Sequence, residues 1–197
     1  MPRGLTIYPG AGRVTLDGAL GGTDPLGAVT ILTAGIIDTF GDITTAGRPV
    51  TFGGAQVDGV DSPTVSGEIV MHGDLTIDTT GSSNPRGGNI TLGDPVEAFV
   101  LGSQSLTLTG GTAGAVYIDA PIGTPTAIGA FTASGNQIDL GANITTQDGI
   151  VTFNSPVILT GGVTVDTTNA GQAAGGAITF NSTIDSDTPG NGALTAF

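Results

Sequence analysis

The chain has 197 residues with four Arg, no Lys and 17 acidic residues, and its net charge of −13 argues against nucleic-acid binding, which needs clustered cations. The same charge argues against docking on an anionic membrane, and no segment approaches the roughly 18 apolar residues of a membrane-spanning helix. Without Cys there is neither a disulfide framework nor a thiolate site. The 35 Gly and 31 Thr, with 38% hydrophobic residues, predict an ordered, turn-rich fold rather than disorder.

The elements predicted along the chain are all short strands. A recurring motif consists of an apolar residue, Thr or Tyr, a second apolar residue and, after a short turn, a third apolar residue. Because side chains alternate along a strand, the apolar residues face inward and Thr faces outward. Gly, Asp, Asn and Pro bound each motif, and no segment has the 3.6-residue period of a helix. The six copies begin at Val14, Val50, Ile90, Val116, Val151 and Ile178.

Two longer internal similarities overlie this short motif. Residues 14–53 resemble residues 116–154 at an offset of 102 that becomes 101, and residues 75–93 resemble residues 163–181 at an offset of 88. Small insertions between repeats are typical of a solenoid, because they are accommodated at its corners. We therefore predict that residues 1–197 form a single solenoid segment with irregular repeats, and we recognise no capping repeats.

The predicted fold is all-β, a right-handed parallel β-helix, and the alternative is a tandem β-sandwich. In a β-helix, the inward apolar residues of each coil stack on those of the coils above and below. At the usual strand spacing of about 4.8 Å, eight or nine coils would form a rod about 40 Å long.

The most site-like segment is an Asp-Thr-Thr sequence followed by a Gly pair, which occurs twice. Asp78 and Asp166 begin the two copies, and the pairs are residues 87–88 and 175–176. Asp beside Thr hydroxyls could ligate Ca²⁺, but Asp at the end of a strand more commonly closes an Asx turn. A phosphate-binding loop would need a Lys and a helix, so we predict that the glycines supply positive φ at corners.

The remaining candidates for chemistry are one histidine and several aspartates. His72 is either a general base or an exposed polar residue on a strand. Asp17, Asp119 and Asp139 could be stacked on neighbouring coils as paired acids of a carbohydrate-active enzyme. No nucleophile or partner base can be placed beside any of them, so we predict a non-enzyme and assign no catalytic, cofactor-binding or metal-ligating residue and no cofactor.

Outward threonines present a different possibility. Thr107, Thr109, Thr164 and Thr179 could form a flat hydroxyl array like those of ice-binding proteins. Thr also combines strand propensity with solubility on an outer face. Because a regular Thr-x-Thr in every coil is not kept, we interpret these residues as the solvated surface of the strands.

Residues 127–159, 161–168 and 175–197 resemble the repeat regions of filamentous-haemagglutinin-like, autotransporter-type bacterial surface proteins. The resemblance covers nearly the whole chain and consists mainly of the repeat pattern. It implies a right-handed parallel β-helix, export to the bacterial cell surface and a role as an adhesive or spacing fibre.

The predicted function is therefore that of a non-catalytic structural segment of an extracellular fibre or adhesin. Its expected partner is an adjacent repeat or a second copy, stacked head to tail through uncapped β-edges. Two alternatives stay open: a carbohydrate-active β-helix (a polysaccharide lyase or hydrolase) and a module that binds surface glycans or a host receptor.

Overall fold

A computed structural model describes residues 2–53, 56–57, 60–61, 67–81 and 84–197, and it does not describe the side chains of residues 56–57 and 60–61. Within these residues there is no helix, and the strands form long parallel sheets. The sheets make up the three sides of a solenoid, which we name faces A, B and C. Face A is one sheet of eight strands: β1 (Leu5–Gly10), β3 (Val29–Thr33), β6 (Val50–Phe52), β11 (Ile90–Leu92), β14 (Val116–Ile118), β16 (Ile138–Leu140), β19 (Val157–Leu159) and β22 (Ile184–Ser186).

Faces B and C are built in the same way. Isolated bridges from Ile122 to Val96 and to Ile144 join the two parts of face B, and a bridge from Leu20 to Ile43 extends face C. Face B contains β2 (Val14–Leu16), β4 (Ile36–Thr39), β9 (Glu68–Met71), β12 (Val96–Ala98), β17 (Ile144–Thr145), β20 (Gly162–Asp166) and β23 (Ala193–Ala196). Face C contains β5 (Ile43–Thr44), β10 (Leu75–Asp78), β13 (Leu106–Thr109), β15 (Phe131–Ser134), β18 (Val151–Phe153) and β21 (Ile178–Phe180).

The chain visits faces A, B and C in turn, and one such circuit is a coil. Face A has one strand in each of eight coils, and every strand pair on the three faces is parallel. This arrangement confirms the predicted parallel β-helix. The right-handed sense follows the general preference of parallel crossover connections and stays a prediction.

The core consists of apolar columns that run along the solenoid axis. On face A, Val29, Val50 and Ile90 are in register on successive coils and are fully buried. On face C, the rings of Phe131, Phe153 and Phe180 follow one another, with centroid separations of 5.7 and 4.7 Å. Period-two alternation places these residues inward and their neighbours outward, as the sequence predicts.

The structure shows that the internal repeats are rotated about the axis. Val14 lies on face B of the first coil, whereas its counterpart Val116 lies on face A of the fifth. Leu75 lies on face C of the third coil, and its counterpart Val163 lies on face B of the seventh. Counted along the chain as A, B, C and then A of the next coil, each counterpart lies eleven faces further on. Four whole coils would be twelve faces, so each displacement is one face short. The two similarities found in the sequence are therefore parts of one duplication.

The change of offset marks an insertion in the first repeat. Phe52 precedes its counterpart Phe153 by 101 residues, whereas Ile69 precedes Val157 by 88. The extra 13 residues therefore lie between Phe52 and Ile69, in a connection from face A to face B. An antiparallel pair of strands, β7 (Gln56–Val57) and β8 (Val60–Asp61), lies within this connection.

Truncation of the middle ring of the phenylalanine column measures how much the stacking contributes. We expect Phe153→Ala to lower the free energy of unfolding by about 3–5 kcal/mol, because Phe153 is fully buried and its removal leaves a cavity in the column. Phe180→Ala is the matched control and should cost less, since Phe180 is half-buried in this structure. Urea denaturation measures both, and equal losses would contradict the proposed axial packing.

Candidate functional site

The two Asp-Thr-Thr segments form the same turn at two places in the solenoid. Asp78 Oδ1 accepts hydrogen bonds from the Thr80 amide at 2.7 Å and the Thr80 hydroxyl at 2.6 Å. Asp166 Oδ1 accepts the equivalent bonds from Thr168 at 2.8 and 2.7 Å. Burial alone would raise the pKa of Asp166, but hydrogen bonds from Thr168 and nearby amides outweigh it and lower the pKa. The predicted Asx turn is confirmed in both copies.

The middle threonine of each segment ties the turn to the Gly pair. The buried Thr79 hydroxyl lies 2.7 Å from the Gly88 carbonyl oxygen and accepts a hydrogen bond from the Gly88 amide at 2.9 Å. Thr167 lies 2.9 Å from the Gly176 carbonyl oxygen in the second copy. Gly87 has φ of +65°, as predicted, and a Cβ there would lie 1.9 Å from a backbone oxygen. The fixed spacing thus closes a corner, and sequence analysis did not anticipate the buried hydroxyl.

The aspartates predicted as candidate stacked acids are only partly brought together. Asp119 and Asp139 lie on adjacent coils of face A, and burial together with the charge of Asp139 raises the pKa of Asp119. Asp17 follows a face-B strand of the first coil, so it is remote from both. Asp17 can pair with neither, because it lies four coils away from Asp119 as well as on a different face.

The first repeat carries an ionic cluster on face B. Asp38 points outward from β4 yet is only 2% exposed, and Arg13 donates to both of its carboxylate oxygens through Nε and Nη2. His72 Nε2 lies 2.8 Å from Asp38 Oδ1. The bonds from Arg13 hold the pKa of Asp38 below its usual range, against the opposing effect of burial, and His72 lowers it further.

His72 is held between two aromatic rings rather than exposed. Its centroid lies 4.2 Å from that of Phe40 and 4.3 Å from that of Phe99, and its side chain is 15% exposed. The expectation of an exposed polar residue was wrong because aromatic residues on the coils above and below cover it. The rings of Phe40 and Phe99 are about half exposed, as are Val100 and Leu101. We name Phe40, His72, Phe99, Val100 and Leu101 the aromatic corner.

The second repeat shows that the fold does not require this corner. The counterparts of Phe40, His72 and Phe99 are Gly141, Thr160 and Asp187. The coils stack in the same way in both repeats, although the second repeat has no ring at these positions. A cluster of exposed apolar side chains that the architecture does not need is a candidate for interaction with another molecule.

The two glutamates of the chain form a second cluster on face B. Glu68 of β9 and Glu97 of β12 are hydrogen-bonded through their carboxyl groups, and the Thr126 amide donates to Glu97 Oε2 at 3.0 Å. The hydrogen bond to Glu97, burial and the charge of Glu97 raise the pKa of Glu68 to about 7. A surface cavity of about 420 Å³ adjoins Glu68 and is also lined by Ile36, Pro95 and Pro125. Sequence analysis did not identify this pair, since residues 68 and 97 come together only through the coil geometry.

The described part of the chain contains no group of three or more His, Cys, Asp or Glu side chains placed to hold a metal ion. It also contains no helix long and apolar enough to cross a membrane. Comparison with protein-family models, curated proteins and solved structures finds no match to this chain.

Removal of the corner hydroxyl should destabilise the protein. Thr79→Val keeps the shape of the side chain but leaves the partly buried backbone amide and carbonyl of Gly88 without their partner, which costs about 1–3 kcal/mol. Thr107→Val, on an outward position of β13, is the control and should change stability by less than about 0.5 kcal/mol. Comparable losses in thermal or urea unfolding would show that the corner bond contributes nothing specific.

The glutamate pair predicts an unusual dependence of stability on pH. Because the folded state raises the pKa of Glu68 from 4.5 to about 7, it holds a proton that the unfolded chain has released in this range. Its contribution to stability is therefore full below pH 4.5 and is lost as the pH rises through about 7.

The charge-matched variants Glu68→Gln and Asp17→Asn separate this effect from the change in net charge. In unfolding experiments from pH 4 to pH 8, Glu68→Gln should flatten the dependence over this window, and Asp17→Asn, which removes an exposed carboxylate, should leave it in place. An unchanged profile for Glu68→Gln would show that the shared proton does not contribute.

Proposed function

We propose that this chain is a non-catalytic structural segment of an extended extracellular fibre or adhesin. The observation that supports the proposal is the continuous stacking of eight coils, in which each strand pairs along the axis with the strand of the next coil. Such a solenoid resists bending and proteolysis because its backbone hydrogen bonds and its core both run along its length. Outward Thr and the net charge of −13 keep this surface hydrated.

The eighth coil presents an apolar edge along the solenoid axis. Ile184 is 40% exposed, whereas Val157, its in-register partner one coil earlier, is fully buried. Phe180 is likewise half-buried above a fully buried Phe153. An edge with apolar side chains and free strand hydrogen-bonding groups is a template for another strand. The partner in this proposal is a coil of an adjacent repeat or of a second copy of the chain.

The location at the bacterial cell surface rests on the resemblance of the repeats to filamentous-haemagglutinin-like, autotransporter-type proteins.

A second candidate function, binding of a glycan or receptor, is favoured by the aromatic corner, which only the first repeat possesses. The glutamate pair does not favour the carbohydrate-active alternative. Its carboxyl groups contact each other, whereas glycosidases hold their two acids roughly 5–9.5 Å apart.

Association along the axis is testable with the purified chain. We expect sedimentation velocity to show concentration-dependent growth, and electron microscopy to show rods one solenoid wide. Ile184→Asp places a charge at the axial edge and should weaken association at least roughly tenfold, about 1.4 kcal/mol.

Leu101→Asp is the matched control, because Leu101 is also an exposed apolar residue but lies on the side of the solenoid. It should leave the growth of rods unchanged. A wild-type chain that remains monomeric at all concentrations, together with native material that contains no fibres, would contradict the structural role.

A further inference from the structure

Face C carries a regular array of polar side chains on its outer surface. One residue in each of five successive coils forms the first column, and the members pair in register across β10, β13, β15, β18 and β21. The first column contains Thr76, Thr107, Thr132, Thr152 and Thr179. The sequence led us to expect an irregular set of threonines. The structure instead aligns Thr107 and Thr179 in one column and places Thr164 on face B.

A second column lies two residues further along each strand. It contains Asp78, Thr109, Ser134, Asn154 and Asn181. The first three pair in register, and Asn181 Nδ2 donates to Asn154 Oδ1 at 2.8 Å. The two columns therefore form a polar array of two by five side chains. General strand geometry gives it repeats of about 4.8 Å between coils and about 6.6 Å between columns.

The array is held rigidly in place. Beneath it, the inward residues Ile77, Leu108, Ala133 and Phe153 are fully buried, so the strands cannot shift relative to one another. Thr is branched at Cβ and has few rotamers, which restricts where each hydroxyl and methyl group can lie. A partner would therefore find these groups at fixed positions, with little conformational entropy left to lose on binding.

The duplication separates what the fold requires from what is special to this face. Thr51 and Thr91 on face A are the counterparts of Thr152 and Thr179, so the first column follows the general repeat pattern. The second column does not. The counterparts of Thr109, Asn154 and Asn181 on the other faces are Phe197, Gly53 and Gly93. At these three positions the array has a polar side chain where the counterpart is Phe or Gly, whereas Asp78 shares its polar character with its counterpart Asp166 on face B.

The chemistry of the array indicates its ligand. Nine of the ten side chains are hydroxyls or amides, which both donate and accept hydrogen bonds, and the tenth, Asp78, is engaged by Thr80. The ten include neither an aromatic ring on which a sugar could stack nor a cation for an anionic ligand. A ligand that donates and accepts at every point, and repeats in two dimensions, complements such a surface. Ordered water has both properties.

We propose that face C binds the surface of ice through these two columns. This activity is independent of the proposed fibre role, because it needs only face C and not the ends of the solenoid.

The experiment compares the same substitution on two faces. Thr132→Tyr with Thr152→Tyr disrupts the array, and the matched control is Thr30→Tyr with Thr51→Tyr, at the counterpart positions on face A. Circular dichroism and thermal melting establish that all three proteins are folded. Thermal hysteresis and inhibition of ice recrystallisation are then measured for the wild type and both double variants.

The expected result is activity in the wild type, its loss in the face-C variant and its retention in the face-A variant. A folded wild type with no effect on ice overturns the proposal, and so does an equal loss from both double variants. A third outcome is that the wild type has no effect on ice but is retained on insoluble cellulose or chitin, and that only the face-C variant loses this retention. The ligand would then be a polysaccharide, and the ice-binding proposal would be overturned.

Discussion

The parallel ladder of backbone hydrogen bonds that joins each coil to the next is the constraint on which the rest of this structure depends. It fixes the height of every coil and aligns inward side chains into columns, so that Val29, Val50 and Ile90 on face A stack without offset. The corners must return the chain to the same height each time. In each repeat, a buried Thr (Thr79 or Thr167) bonds to the Gly pair and so holds the corner at the height of its coil.

The local pattern of the strands and the fold could be predicted from the sequence, because apolar–Thr–apolar triplets bounded by turn residues admit few other structures. The assignment of strands to faces could not be predicted. The strands of all three faces share the apolar–Thr–apolar pattern. The offset of 102 residues therefore does not reveal whether Val14 and Val116 are separated by a whole number of coils. For the same reason the sequence did not show whether Asp17 and Asp119 lie on the same face. The burial of His72 and the pairing of Glu68 with Glu97 depend on contacts between coils, which no local signal reports.

The duplication also helps to distinguish architecture from possible function. Features present in both repeats, such as the turn at Asp78 and Asp166, are explained by the path of the chain. Features found in only one repeat, such as the aromatic corner and the glutamate pair, are not required by that path. They lie together on face B of the first repeat, which makes this surface chemically different from its counterpart. A single chain with an internal repeat thus supplies its own comparison.

The rotation of the repeats by one face has a geometric consequence for any longer assembly that continues the same pattern. Each unit of eleven faces stops one face short of four full coils, so every new unit is turned by one third of a revolution relative to the last. A surface carried once per unit would then point in three directions in succession and return to its first direction at the fourth unit. Such a filament would have screw symmetry imposed by the length of its repeat alone, and it would display the same patch on all sides.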